Sequence, residues 1–363
     1  MLEMPGFLCA AVRRRPCRRG SGASGMGRVK NVRESLGRLL RRTGARRDVT
    51  AEPAADLETA RRKGPARSVL SAARPAALAE RIERAPALDR PVRALSDTVV
   101  RALPPGSRTD ALHGVPFGQP AHPALVRMPL GCWTSAVLLD FFRGTERASG
   151  TLVAVGLAGA LPSAATGLAD WSALHRHQQR VGLVHAISQA SATTLFGASL
   201  LARATGRNGN GKLLSATGLA VATVGAYLGG HLALRLGAGA SHAEPIEHLA
   251  ALGWHDLCPV GELPNGRLTR RQLGYLSLLA LRQDDAVHVL SDHCAHLGGP
   301  LHQGRVVTVR GATCVTCPWH GSTFRVSDGA VIHGPATARQ PAFESRITES
   351  GWVQVRPRAR RGR

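Results

Sequence analysis

Aromatic residues are scarce in this 363-residue chain: two Tyr, seven Phe and five Trp make up 4%, while hydrophobic residues as a whole reach 44%. An interior so poor in rings must be built from Ala, Leu and Val, which excludes a wholly β-rich protein and favours helices. Acids are scarce too. With 24 Asp and Glu against 47 Lys and Arg, the formal net charge is +23. Such an excess can mark a nucleic-acid binder, but here Arg crowds into the first third and the last few positions instead of marking one folded surface. No nucleic-acid partner is expected, and anionic lipid is the better counter-surface. Cysteine is sparse and unevenly placed, with two in the Arg-rich head, one in an apolar run and four from Cys258 on. That is no disulfide framework, and the clustering with His points to metal. An export signal is lacking: "GFLCAAV" is too short for an apolar core, and the run "RRRPCRR" follows it when it should precede it.

What is present divides the chain into five parts. Residues 1–75 are Arg, Ala, Gly and Ser without period, a disordered basic segment in which Met26 is an alternative start. Residues 76–120 are expected to hold an amphipathic membrane-proximal helix, because Val92, Leu95, Val99 and Leu103 recur at helical spacing between Pro91 and Pro104. Residues 121–240 contain four apolar segments, at about 124–142, 150–169, 181–201 and 213–234, each near the length of roughly 20 residues that spans a bilayer. A four-helix transmembrane bundle is the expectation. The small residues of "LVAVGLAGALPSAATGLA" and "LLSATGLAVATVGAYLGG" suit close packing in lipid, and Pro162 should kink the second helix. The basic head should stay in the cytoplasm, and an even helix count returns the C-terminus there, giving a multi-pass cell-membrane protein.

Four polar residues should share one level of this bundle, since successive helices run in opposite directions: His122, Asp170, His185 and His231. Ionisable groups at that depth are functional candidates. Three roles fit: hydrogen bonds between helices, haem b held by two of the histidines, or a quinone pocket. The blocks "AHPALVRMPLGCWTSAVLLD", "ATGLADW", "RVGLVHA" and "GAYLGGHLALRLG" resemble an uncharacterised bacterial four-helix membrane family of unknown function. The resemblance implies the four-helix membrane domain and brings no chemistry.

Residues 245–356 alternate short apolar runs with turn signals, the pattern of a small antiparallel β domain. Two loops each offer one Cys and one His: Cys294 with His296 in "DHCAHLGGPL", and Cys317 with His320 in "CVTCPWHGSTF". Ligands to one zinc usually stand about two to four residues apart within a loop. The single-residue gap in Cys294-x-His296 is awkward for zinc and natural for a dinuclear cluster, in which each loop sends its thiolate to one iron and its imidazole to the other.

"CAHLGGPL", "CPWHGSTF", "DGAVIHGPA" and "ITESGWVQV" resemble Rieske [2Fe-2S] domains. The resemblance implies that Cys294 and Cys317 bind one iron of a [2Fe-2S] cluster and His296 and His320 the other. Gly298, Gly299 and Gly321 would let backbone approach, and Gly334-Pro335 would form a covering loop. Gly299 and Trp319 stand where Rieske subunits of quinol-oxidising complexes carry a disulfide, so this chain looks more like the ferredoxin and oxygenase type. Ser322 matches a hydroxyl that donates to a cluster sulfide, while Phe324 replaces the usual tyrosine. A middle potential within the range of about −150 to +300 mV is expected.

No flavin or nicotinamide fingerprint and no non-haem iron triad accompany these loops. The chain reads as a membrane-tethered electron-transfer protein without a catalytic site of its own, its donor (a quinol or a reductase) and its acceptor unnamed. The alternative pairs Cys314 with Cys317 in a zinc site, making the protein a non-redox membrane sensor or scaffold. Residues 357–363 form a basic tail.

Overall fold

A computed structural model describes residues 75–249 and 252–358. The basic segment over 1–75 lies outside the described residues except for Pro75, as do positions 359–363 of the tail.

Three short helices come first: α1 (Pro75–Glu83), α2 (Asp89–Ala102) and α3 (Ser107–His113). The helix expected between Pro91 and Pro104 is α2, and the valines that gave it its period are its buried residues, Val92 and Val99. Val92 meets Trp171 and Leu183, so the apolar stripe of α2 is covered by the protein's own helices. Charge fixes the same region. Arg180 forks onto the Asp89 carboxylate at 2.8 and 3.0 Å and donates to the Glu83 carbonyl at 2.7 Å.

The central helices are α4 (Ala121–Leu125), α5 (Arg127–Leu139), α6 (Glu146–Ser172), α7 (Arg176–Ala204) and α8 (Asn208–Gly230), with His231–Arg235 continuing α8 as a π-helix. The first expected span is split. Pro129 has no N–H for the carbonyl of Leu125, and α5 keeps only 13 residues. At about 1.5 Å per residue that is too short for a bilayer core of about 30 Å. The third expected span is long, at 29 residues, but opens with Arg176, His177, Gln178, Gln179 and Arg180. Among the described residues two helices are long and apolar enough to cross a membrane, Glu146–Ser172 and Asn208–Arg235. Pro162 lies inside the first of them.

The helices form two hairpins, α4/α5 with α6 and α7 with α8, whose equivalent positions meet. Trp133 stacks on Phe196 with ring centres 4.3 Å apart, and Asp140 takes two hydrogen bonds from Arg203, 63 residues further on. The Asp140 and Arg203 side chains are 8% and 5% exposed, a buried pair in which Asp140 also accepts from Ser149 Oγ and Arg203 also donates to Ser215 Oγ. Glycine sets the close approaches. A Cβ on Gly156 would stand 2.3 Å from Trp133 Nε1, and one on Gly218 would stand 3.1 Å from Phe196.

After α9 (Ile246–Leu249) the chain becomes an antiparallel β domain of ten strands among the described residues. One sheet has the order β1-β10-β9-β4-β3-β2, from β1 (His255–Pro259), β2 (Leu268–Leu273), β3 (Leu276–Gln283), β4 (Ala286–Ser291), β9 (Ala342–Ile347) and β10 (Trp352–Pro357). The second runs β5-β6-β7-β8, from β5 (Arg305–Val309), β6 (Ala312–Thr316), β7 (Thr323–Arg325) and β8 (Val331–His333). Strand β3 is buried on both faces, which explains its unbroken apolar run: Leu279 and Leu281 join Val315 and Phe324, whereas Leu278 and Ala280 join Val353 and Val355. The first of these cores also contains Cys294 and Cys317. The two Cys/His loops therefore rest on a packed base.

Candidate metal centre

The first loop leaves β4 and is pinned by two buried polar side chains. Asp292 accepts from Ser277 Oγ at 3.0 Å and from the backbone N–H of His302 at 2.8 Å. Gln340 accepts the N–H of Ala295 at 2.9 Å and donates to the carbonyls of Ser291 and His293 at 2.8 and 2.7 Å. Between these anchors the backbone turns back on itself: the N–H of Cys294 bonds to the Gly299 carbonyl, and that of Gly298 to the Cys294 carbonyl. The second loop closes the same way, with Cys317 N–H on the Ser322 carbonyl and Gly321 N–H on the Cys317 carbonyl. Both turns need a positive φ, 74° at Gly298 and 81° at Gly321. At Gly299 the need is room, because a Cβ there would come within 2.8 Å of Cys317 Sγ.

These loops bring the four candidate ligands together in like pairs. The Cys294 thiol hydrogen-bonds to the Cys317 sulfur, and the His296 and His320 ring centres are 5.1 Å apart. No three or more His, Cys, Asp or Glu side chains converge on one ion position among the described residues. A thiol pair beside an imidazole pair is a donor set for two metal atoms, and it fits a [2Fe-2S] cluster of the two-Cys, two-His kind. Protonation agrees with that use. Burial, then the neighbouring His320, pushes His296 down to about 3, and burial, then His175, pushes His320 down to about 4. Both rings are neutral at pH 7 with a lone pair to offer. The hydrogen bond from Cys294 pulls Cys317 down to about 7, and the proton it shares is held on Cys294.

Around the pairs, Ser322 Oγ accepts the N–H of Ala336 at 3.0 Å, leaving its own O–H to donate. The Gly334-Pro335 bond is cis. Phe324 is fully buried in the core beneath, while Trp319 is 48% exposed at the edge of the site. Cys314 is buried in β6 with its thiol on the Ala312 carbonyl, and Cys258 is buried in β1.

The helical region covers the imidazole edge. The His175 ring lies 5.4 Å from that of His320 and 5.1 Å from Trp319. Beside His296 a cavity of about 220 Å³ is lined by Pro120, His113, Asp170 and Pro335. His113 donates from Nδ1 to Asp170 at 2.7 Å. Asp110 accepts from His333 Nδ1 and from the Gly334 N–H at 2.8 and 2.9 Å. None of Asp110, His113, His175 or Gln340 stands out in the sequence. Each sits singly in an ordinary helix end, turn or loop, and only the folded chain brings it to the site.

The four polar residues of the bundle separate. Asp170 pairs with His113, and His231 pairs through Nε2 with Glu83 of α1 at 2.7 Å. His122 and His185 come together, with ring centres 6.4 Å apart.

The chain is 35% identical over 100 residues to apoptosis-inducing factor 3 of Homo sapiens, a match spanning 28% of this chain and 16% of that protein. It is 28% identical over 67 residues to the Rieske domain-containing protein of Homo sapiens, spanning 18% of this chain and 43% of the relative. The chain thus covers less than half the length of each of these relatives. Among solved structures, the ferredoxin of carbazole 1,9a-dioxygenase from Nocardioides aromaticivorans IC177 aligns at 22% identity and TM-score 0.27, over 29% of this chain and 98% of that one. A putative NADH-dependent nitrite reductase small subunit from Mycobacterium tuberculosis aligns at 25% identity and TM-score 0.28, over 30% and 99%. Residues 253–344 match the Rieske [2Fe-2S] domain family and residues 118–242 match the predicted membrane protein family DUF2231, so this chain joins a domain of that membrane family to a Rieske domain.

Proposed function

We propose that the chain is a membrane-tethered one-electron carrier in which Cys294 and Cys317 hold one iron of a [2Fe-2S] cluster and His296 and His320 the other. The observation that carries this reading is the segregation of the four side chains into a hydrogen-bonded thiol pair and a neutral imidazole pair on two loops of one core. The cluster supplies reversible one-electron chemistry, and neutral imidazoles in place of two thiolates raise its potential. The protein's own groups do the rest. Asp292 and Gln340 fix the first loop, Ser322 is free to donate toward a sulfide, and His113, His175 and Pro335 shield the imidazole edge from water.

Two long apolar helices and the DUF2231 match support tethering. In this reading α4 and α5 cross together as one broken span and α7 completes a four-helix membrane domain, both termini are cytoplasmic, and a quinol or a reductase supplies the electron. Iron and sulfide analysis of the purified chain tests the centre: about two of each per chain, with the rhombic electron paramagnetic signal of a reduced Rieske cluster, is the expected result. Zinc in place of iron and sulfide would replace this reading with a structural site. External labelling of cysteines placed at 144–149, with none at 172–179, is the expected topology result.

A further inference from the structure

The two helical hairpins are internal repeats, and their equivalence is repeated layer by layer. His122 and His185, Trp133 and Phe196, and Asp140 and Arg203 are each 63 residues apart and meet as pairs. On the second helix of each hairpin the equivalents are 62 apart: Gly156 and Gly218, Ser163 and Gly225, Gly167 and Gly229. Trp-Phe is packing and Asp-Arg is an ion pair. The histidine layer is built differently.

Each histidine is held by the same device. His122 Nδ1 bonds to the carbonyl of Ser163 at 2.8 Å, and His185 Nδ1 bonds to the carbonyl of Gly225 at 2.7 Å. Four residues further along the receiving helix stands a glycine against the ring, where a Cβ would come within 2.9 Å of His122 on Gly167 and 3.1 Å of His185 on Gly229. A carbonyl only accepts, so in both rings the proton sits on Nδ1 and the lone pair on Nε2. No protein group bonds to either Nε2 among the described residues. A backbone carbonyl on the far nitrogen is how proteins orient metal-binding imidazoles.

The spacing suits a metal between the rings. Two imidazoles on opposite sides of one metal, at about 2.0 Å per bond and roughly 1.1 Å from nitrogen to ring centre, would put their centres about 6.2 Å apart. The observed separation is 6.4 Å, with the rings perpendicular. Two ligands do not complete a coordination shell, and no third His, Cys, Asp or Glu joins them among the described residues. A metal that brings its own equatorial donors, as the iron of a tetrapyrrole does, needs only these two side chains.

We propose that His122 and His185 are the axial ligands of one haem held between the hairpins on their pseudo-twofold axis. The site adjoins the cluster loops: Pro120, two residues before His122, lines the cavity beside His296.

The test uses the full chain in detergent, purified from cells fed a haem precursor and titrated with haemin. One haem per chain with a low-spin, six-coordinate spectrum is expected. His122→Ala and His185→Ala should each abolish that spectrum, His231→Ala should keep it, and imidazole added to His185→Gly should restore it. The Rieske paramagnetic signal of each variant reports that the chain is folded. A wild-type chain that binds no haem, a low-spin spectrum that survives both alanine variants, or a folded His185→Gly that imidazole does not restore would overturn the assignment. Failure of this site leaves the cluster analysis untouched, and a missing cluster leaves the haem spectrum readable, so the two proposals fail separately.

Discussion

Asp110 and His333 are 223 residues apart in the chain and 2.8 Å apart in the fold, and the second oxygen of the same carboxylate takes the N–H of Gly334. One acid on α3 thus ties down the loop that closes over the cluster loops. Each charge-assisted bond is worth about 1.5–3 kcal/mol before solvent screening, which discounts the His333 contact because that side chain is 38% exposed. Asp110→Ala should leave the Rieske signal intact while amide exchange across 333–338 speeds up. Unchanged exchange there would mean the loop stands without α3.

Ser322→Ala should lower the midpoint potential. Its Oγ already accepts from Ala336, so the O–H is the one group it has left to give. Losing a hydrogen bond of about 1 kcal/mol to a sulfide corresponds to roughly 40 mV for one electron. A redox titration followed by paramagnetic resonance reads the shift, and an upward change would contradict the assigned donor.

Glycines of the bundle should divide by what faces them. Gly156→Ala places a methyl 2.3 Å from the Trp133 ring nitrogen and should cost about 1–3 kcal/mol through overpacking. Gly131→Ala meets nothing within 4 Å and should be neutral, or stabilise α5 by up to about 1 kcal/mol. Thermal unfolding in one detergent compares the pair, and equal effects would refute the packing argument.

Stripping the cluster should make the chain acid-sensitive. His296 and His320 sit at about 3 and about 4 in the fold, below the ordinary 6.5. Between those values and 6.5 the unfolded chain binds more protons, so stability is full above about pH 6.5 and drains away as pH falls toward 4 and below. Melting the cluster-free chain at pH 7.5 and pH 5 should show the lower temperature at pH 5. The reverse order would mean these rings are not buried neutral.

The legible parts of the sequence were those with local signals. The valines of α2, the alternation of the β domain and the spacing of Cys294, His296, Cys317 and His320 could all be read in one dimension. The first expected span is broken into α4 and α5 for a local reason as well, the missing N–H of Pro129. What was illegible depends on chain returning from afar. His113 meets Asp170, Glu83 meets His231, and Gln340 reaches Ala295, each across 45 residues or more. His122, Asp170, His185 and His231 read as one level of the bundle, and the fold divides them because α1 and α3, outside the apolar segments, supply acid and imidazole partners to two of the four.

The pairing of Asp140 with Arg203 bears on how such a bundle can be assembled. Two identical hairpins related by a true twofold axis would carry the same residue at both positions and would bury acid against acid, or base against base. Covalent fusion removes that restriction, letting one copy carry the carboxylate and the other the guanidinium. A free hairpin carrying Asp140 at its turn therefore lacks a self-complementary face at this layer, and the bundle is specified as an intramolecular heterodimer of its own halves.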